Sequence, residues 1–177
     1  MQEMTRERLL KLCNWDDLNF ASFVIHSDFF EEEVEIAVRP AYDSRRRITD
    51  KMIACVNDFL ALSQEHLPKV KELLYAHCEL CFETTSYGVD IHEGETEEEA
   101  TRREFEVYSA ADAYRQVQVP KIGIDEKHDR YKNRYVELLF YPPWEQEHGC
   151  NIILQNGIPI DWQESMPHMG KYEQEDG

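Results

Sequence analysis

The sequence predicts an α+β domain in which a mainly antiparallel sheet carries two central helices packed on one face. Three patterns support this. Val34, Ile36 and Val38 alternate with Glu33, Glu35 and Ala37, the period of a strand with one wet face. Apolar residues recur at helical spacing across residues 49–83. In the last third, Asn156-Gly157 separates Ile152-Ile153-Leu154 from Ile158-Pro159-Ile160, the signature of a two-residue hairpin.

Along the chain, residues 5–13 read as a short helix capped by Thr5, with Leu9, Leu10, Leu12 and Cys13 on its apolar side. Trp15 follows in a polar turn. Phe20 to Ile25 and Glu33 to Arg39 are strands, joined by a hairpin connector whose Phe29 and Phe30 pack inward. After the basic island Arg45-Arg46-Arg47, Thr49 caps a helix with Met52, Ile53, Val56, Phe59 and Leu60 on one side. A second helix tolerates Pro68 in its first turn and buries Leu67, Val70, Leu73, Leu74, His77, Cys78 and Cys81. It stops between Thr84 and Gly88, where threonine, serine and glycine accumulate. Thr96 either caps a short exposed helix or opens a mobile loop. Val117, Val119, Ile122 and Ile124, broken by Pro120, form an interrupted or edge strand. Arg134 to Tyr141 is a central strand and Cys150 to Gln155 the next. Pro159 places the final strand at an edge.

Composition sets the remaining bounds. At 177 residues and 42% hydrophobic, the chain suffices for one domain over residues 1–165, followed by a polar tail at 166–177 that frays. The charge is extreme: 36 acidic residues against 19 basic, a formal net charge of −17. Such a surface repels nucleic acid and anionic membranes and attracts basic proteins. No run approaches the roughly 18 apolar residues that span a bilayer. The first eight residues are polar, and five cysteines (Cys13, Cys55, Cys78, Cys81, Cys150) are an odd number that suits reduced thiols. A cytoplasmic location is expected.

Motifs for chemistry are sparse. The chain has no G-x-x-x-x-G-K-[ST], no G-x-G-x-x-G and no G-x-S-x-G, and its seven histidines form no H-x-x-x-H pair. Cys78-Glu79-Leu80-Cys81 lies late in a helix, on its apolar side, with no second C-x-x-C to complete a zinc site. It reads as core. No cofactor, metal ligand set or catalytic residue is expected, and the chain is not expected to be an enzyme.

One stretch gathers unusual chemistry. Trp144-Glu145-Gln146-Glu147-His148-Gly149 sits between two strands. Structurally, Pro142-Pro143 ends the first strand, Trp144 covers the sheet end, and Gly149 takes a conformation that a side chain opposes. Glu147 and His148 then satisfy turn amides or each other. The functional alternative makes Glu147 a general base or metal ligand and His148 a proton shuttle. The stretch resembles an uncharacterised bacterial domain family with a W-[DE]-x-E-H-G turn between two strands. The resemblance extends over the element order from about Phe20 onward, but not over the N-terminal helix or the acidic middle. Here Glu145 stands where aspartate is commoner, and Cys150 where an aliphatic residue is expected.

The resemblance implies an immunity protein that neutralises a cognate toxin, since such domains often neighbour polymorphic toxins. Charge suggests where contact would occur. Glu93, Glu95, Glu97, Glu98, Glu99 and Glu104 face only Arg102 and Arg103 nearby. These acids, with Glu31 and Glu32 and the aromatics Tyr87 and Tyr108, are the expected surface for a basic protein partner. A nuclease toxin would fit, because its substrate groove must be cationic to hold phosphates. Two alternatives stay open: a small hydrolase or metal-dependent enzyme centred on Glu147 and His148, and a non-enzymatic acidic scaffold.

Overall fold

The computed structural model describes residues 3–41, 46–164 and 167–173. Arg45 of the basic island and the last residues of the tail lie outside that range. Helix α1 (Arg6–Leu12) is capped by Thr5 Oγ1, which accepts from the Arg8 amide at 3.3 Å. Then come β1 (Asn14–Trp15), β2 (Ala21–Ser27), β3 (Glu32–Arg39), α2 (Asp50–Leu60) and α3 (Leu67–Thr84). They are followed by α4 (Glu97–Phe105), α5 (Ala110–Arg115), β4 (Lys121–Asp125), β5 (Tyr135–Phe140), β6 (Cys150–Gln155) and β7 (Ile158–Gln163).

The seven strands form one sheet in sequence order, β1 to β7. It is a mixed sheet, which corrects the expectation of a mainly antiparallel one. β3 and β4 pair in parallel, with Ile36 opposite Ile122 and Val38 opposite Ile124. The cause is the connection. A long crossover carrying α2 to α5 separates β3 from β4, and such crossovers return the chain in the same direction. Short connections give antiparallel pairs on either side.

β4 is a second correction. It is interior, lying between β3 and β5, with Ile122, Gly123 and Ile124 buried. Pro120 precedes the strand and interrupts nothing. Trp15 belongs to a short edge strand, pairing with Ala21, where a turn was expected. In α1 only Leu9 is buried, while Leu10 and Leu12 are exposed. Met4 buries in their place, fixed by Asn57, which accepts from its amide at 2.7 Å and donates to its carbonyl at 3.0 Å.

Alternation divides the sheet residues between two surroundings. Val34, Ile36, Val38, Ile122, Ile124, Val136, Leu138, Ile152 and Leu154 join one core with Met52, Val56 and Phe59 of α2 and Val70, Leu74 and Cys78 of α3. α2 contacts β4 and β5, and α3 contacts β6 and β7. Tyr135 and Ile153 point the other way, into a smaller cluster with Met169. That cluster holds residues 167–173, the described part of the segment expected to be a polar tail. Met169–Tyr172 forms a 3-10 turn, and Glu173 accepts from Tyr135 Oη at 2.6 Å and from the Lys132 amide at 3.0 Å.

The Asn156-Gly157 hairpin is present, with both residues at positive φ (50° and 83°), as a type I′ turn requires. β7 is an edge strand, in keeping with Pro159.

Candidate functional site

The turn between β5 and β6 is built around Trp144, which is only 3% exposed. Its indole Nε1 donates to His77 Nδ1 on α3 at 3.2 Å, and its carbonyl accepts from Tyr87 Oη at 3.0 Å. Because Nδ1 accepts, the His77 proton sits on Nε2, which faces Cys81 Sγ at 3.6 Å. Burial drives the His77 pKa from 6.5 down to about 4, so the ring is neutral. Gly149 has φ +72°, and a Cβ there would lie 2.5 Å from the Phe140 carbonyl oxygen. Glycine is required.

Glu145 does the local work that had been expected of Glu147 and His148. Its Oε1 accepts from the His148 amide at 3.0 Å and lies 3.4 Å from His148 Nδ1. The His148 amide, above all, holds the Glu145 carboxyl below its ordinary range. Glu147 and His148 are exposed.

The acid-rich segment forms α4, the helical option. Thr96 Oγ1 accepts from the Glu99 amide at 3.2 Å, and Glu99 Oε2 accepts from the Thr96 amide at 2.8 Å, a complete capping box. Glu95 receives Arg103 with both oxygens, at 2.9 and 3.1 Å. That pairing, helped by the His92 amide, holds its carboxyl down to about 2. Glu98 receives Arg102 at 2.8 and 3.0 Å, and Glu97 accepts from Ser86 Oγ at 2.6 Å. Both arginines are thus committed to Glu95 and Glu98. Glu93, Glu97, Glu99 and Glu104 have no ion pair among the described residues.

The other expected contact residues separate. Tyr108 is 61% exposed and shares a shallow pocket with Glu93, Glu95 and Glu99. Tyr87 is not the exposed anchor that was expected. Its ring packs edge-on against Phe82 and Phe105, and its hydroxyl is held by Trp144. Glu31 and Glu32 are exposed at the β2–β3 hairpin, and Glu32 borders a cavity of about 510 Å³ with Phe30, Tyr114 and Phe140. That is a different locality from α4.

A further cluster went unread in the sequence. On the sheet face opposite to that of Val38, Ile124 and Leu138, Arg39 of β3 reaches across β4 to Glu137 of β5, Nη2 to Oε2 at 3.2 Å. Gly123 lies between them, and a Cβ there would come within 2.8 Å of Arg39 Nη2. Asp125 lies 3.3 Å from Arg39 Nε and 3.0 Å from Lys127 Nζ. Glu137 Oε1 and His128 Nε2 face each other at 3.9 Å, beyond hydrogen-bond reach, and neither has a hydrogen-bond partner. Burial raises the Glu137 pKa and lowers that of His128 to about 4. Arg39, Asp125, Lys127 and Glu137, but not His128, line a cavity of about 390 Å³ whose rim includes Tyr141, Glu147 and His148. The sequence signal was there: Glu137 is the one charge in Tyr135–Phe140, an otherwise apolar or aromatic strand.

Cys78 and Cys81 are free thiols buried in α3, and burial raises both pKa values, to about 12 and about 11. They pack as core. Among the described residues, no group of three or more His, Cys, Asp or Glu is arranged to hold a metal ion. No helix among them is long and apolar enough to cross a membrane. No curated protein and no solved structure matches the chain. A family model does match, over residues 4–166, and the chain therefore belongs to that family, described as a domain of unknown function, DUF6985.

Proposed function

We propose that the protein is a binding module that captures a basic protein partner through the surface of α4. The exposed excess of acid there carries this: with Arg102 and Arg103 committed to Glu98 and Glu95, the charges of Glu93, Glu97, Glu99 and Glu104 have no cationic partner among the described residues. Tyr108 beside them offers an aromatic anchor. Long-range attraction from such a patch speeds encounter with a cationic surface by orders of magnitude. Following the resemblance of the turn at Trp144–Gly149, the partner is a toxin, a nuclease being the chemistry that a cationic groove fits, and the protein acts as its cytoplasmic inhibitor. Packing of α2 and α3 on one face of the sheet is part of this picture, since α3 also supports α4. Binding to a toxin encoded beside this chain, measured across a salt series, tests it. A complex that forms equally well without the acids of α4 would refute the assignment of that surface.

One observation favours a second reading, a small hydrolase centred on Glu147 and His148. Both line the cavity floored by Glu137, Asp125 and Arg39. A carboxylate with a raised pKa in a cleft is a common attribute of acid–base sites. Loss of a measured hydrolytic activity in His148→Gln, with unchanged melting temperature, would establish it.

A further inference from the structure

We propose that the open edge of β2, at Val24 and His26, receives an extended strand of a protein partner that carries lysine or arginine at alternate positions. The proposal does not rest on capture by α4 and uses none of the α4 residues.

The hydrogen-bond register defines the edge. β1 pairs with β2 at Ala21 and Ser22 and stops there, so among the described residues Phe23 to Ser27 have β3 as their one strand neighbour. Across the β1–β2 turn the Asp16 amide donates to the Phe20 carbonyl at 2.9 Å. Phe20 thus turns its backbone polar groups toward β1. In an antiparallel ladder that direction recurs at every second residue, which gives Ser22, Val24 and His26. Ser22 lies opposite Asn14. Val24 and His26 lie beyond the end of β1, and each aims an N–H and a C=O away from β3. Among the described residues no group bonds to them on that side. Val24 is 56% exposed and the His26 side chain 60%.

Such a row of backbone donors and acceptors is matched by another extended backbone, which offers its own at the same spacing. Residues 21–27 contain no proline, lysine or arginine, and their pairing with β3 runs without a bulge. The far edge of the sheet differs. There β7 carries Pro159, and its register with β6 shifts between Ile153 and Leu154. One edge is guarded against a further strand and the other is open.

Charge selects the partner. Residues 14–35 hold seven Asp or Glu and no Lys or Arg. Glu35 lies opposite Val24 and Glu33 opposite His26. Lys121 reaches Glu35 at 3.1 Å, whereas Glu33 is exposed with no ion pair among the described residues. Side chains of a docked strand opposite Val24 and His26 fall on the same face as these carboxylates, where cations are favoured. The residue between them falls beside half-buried Ile25, where an apolar side chain is favoured. A second copy of this chain is disfavoured, since it would bring two chains of net charge −17 edge to edge.

The test is amide hydrogen exchange of the full chain, read by NMR, with the blocked peptide Lys-Val-Lys-Val-Lys and its counterpart Glu-Val-Glu-Val-Glu. In the free chain the Phe23 and Ile25 amides should be protected by β3 while those of Val24 and His26 exchange freely. The lysine peptide should slow Val24 and His26 saturably, with Kd on the order of 1 mM for so short a strand. Val24→Pro removes an outward N–H that the β3 ladder does not use, so it should keep the fold and weaken binding about tenfold. Should that variant fail to fold, the lysine peptide with its backbone amides N-methylated makes the same test on the unaltered chain: it keeps the charge, loses the donors and should not bind. Protection of Val24 and His26 in the free chain, whether from a dimer seen by sedimentation or from within the monomer, would overturn the proposal. So would equal binding of the glutamate peptide or of the N-methylated one.

Discussion

Trp144 Nε1 donates to His77 Nδ1 at 3.2 Å across 67 residues of sequence, joining the β5–β6 turn to the middle of α3. The bond fixes the His77 tautomer and places an Nε2–H against Cys81. The turn's tryptophan therefore orients a helix against the sheet and satisfies a nitrogen that burial cuts off from water. Trp144→Phe keeps an aromatic ring but leaves His77 Nδ1 without its donor. It should destabilise the protein by about 1–3 kcal/mol, read as a lower denaturation midpoint at unchanged m.

His77 and His128 make stability depend on pH in a defined direction. Both have pKa values lowered by burial from 6.5 to about 4. In the unfolded chain they take up protons near pH 6.5, whereas the folded protein resists until about pH 4. Stability is therefore full above pH 6.5 and falls as pH drops from there to 4, by on the order of 3 kcal/mol for each histidine. Glu137, whose pKa is raised, works against this: its contribution is full at low pH and declines as pH rises past the unfolded carboxyl range. Urea melts from pH 7.5 to 4 should show the loss. In His77→Gln, whose side-chain oxygen can still accept from Trp144, about half of it should vanish.

Gly149 should prove the least replaceable glycine. At φ +72° any side chain is strained, and here a Cβ would also meet the Phe140 carbonyl oxygen at 2.5 Å. Gly149→Ala should cost about 3 kcal/mol, strain and clash together. Gly94, at φ +83° with nothing within 4 Å of a built Cβ, is the control, and its alanine variant should cost only about 1 kcal/mol. Equal losses at the two positions would mean that the clash relaxes away.

The differing fates of the sequence expectations have physical causes. Locally determined elements were legible: Thr49 and Thr96 cap their helices, Pro68 sits at the start of α3, and Asn156-Gly157 turns a hairpin. α5 was missed although Ser109-x-x-Asp112 signals its start, with Ser109 Oγ accepting from the Asp112 amide at 3.2 Å. Six residues of helix carry too little periodicity to announce themselves. The direction of β4 was illegible because Val34, Ile36 and Val38 present the same face to a parallel or an antiparallel neighbour. The cluster at Glu137 followed from that blindness. Arg39 and Glu137 lie 98 residues apart and meet only through the registers Ala37–Gly123 and Gly123–Glu137.

Gly123 tests that convergence. Its Cβ would come within 2.8 Å of Arg39 Nη2 and 3.3 Å of the Glu137 side chain. Gly123→Ala should push the guanidinium off Glu137 and cost about 1–2 kcal/mol. Arg39→Met removes the partner altogether and leaves Glu137 buried without its cation, so it should cost about 3–5 kcal/mol. Combining Arg39→Met with Glu137→Leu should recover much of the second loss. A double variant as unstable as Arg39→Met alone would show that Arg39 acts through packing.

The charges of α4 must be probed selectively, because the structure divides them. Glu95 and Glu99 hold the helix, through Arg103 and the capping box, so neutralising them mixes stability with charge. Glu99→Gln alone should cost only a few tenths of a kcal/mol, since glutamine also serves a capping box. Glu93 and Glu104 are exposed, and neither is ion-paired among the described residues. Glu93→Gln with Glu104→Gln should leave the melting temperature within about 2 °C, as expected for exposed charges that mainly repel one another. On a basic toxin partner, the same pair should slow association about threefold at low salt and flatten its salt dependence. Dissociation should hardly change, because rim charges act on encounter. Tyr108→Ala should do the reverse, raising the off-rate at an unchanged on-rate. Stopped-flow mixing over a salt series separates the two effects. An association rate indifferent both to salt and to these charges would mean that the acidity of α4 serves solubility alone.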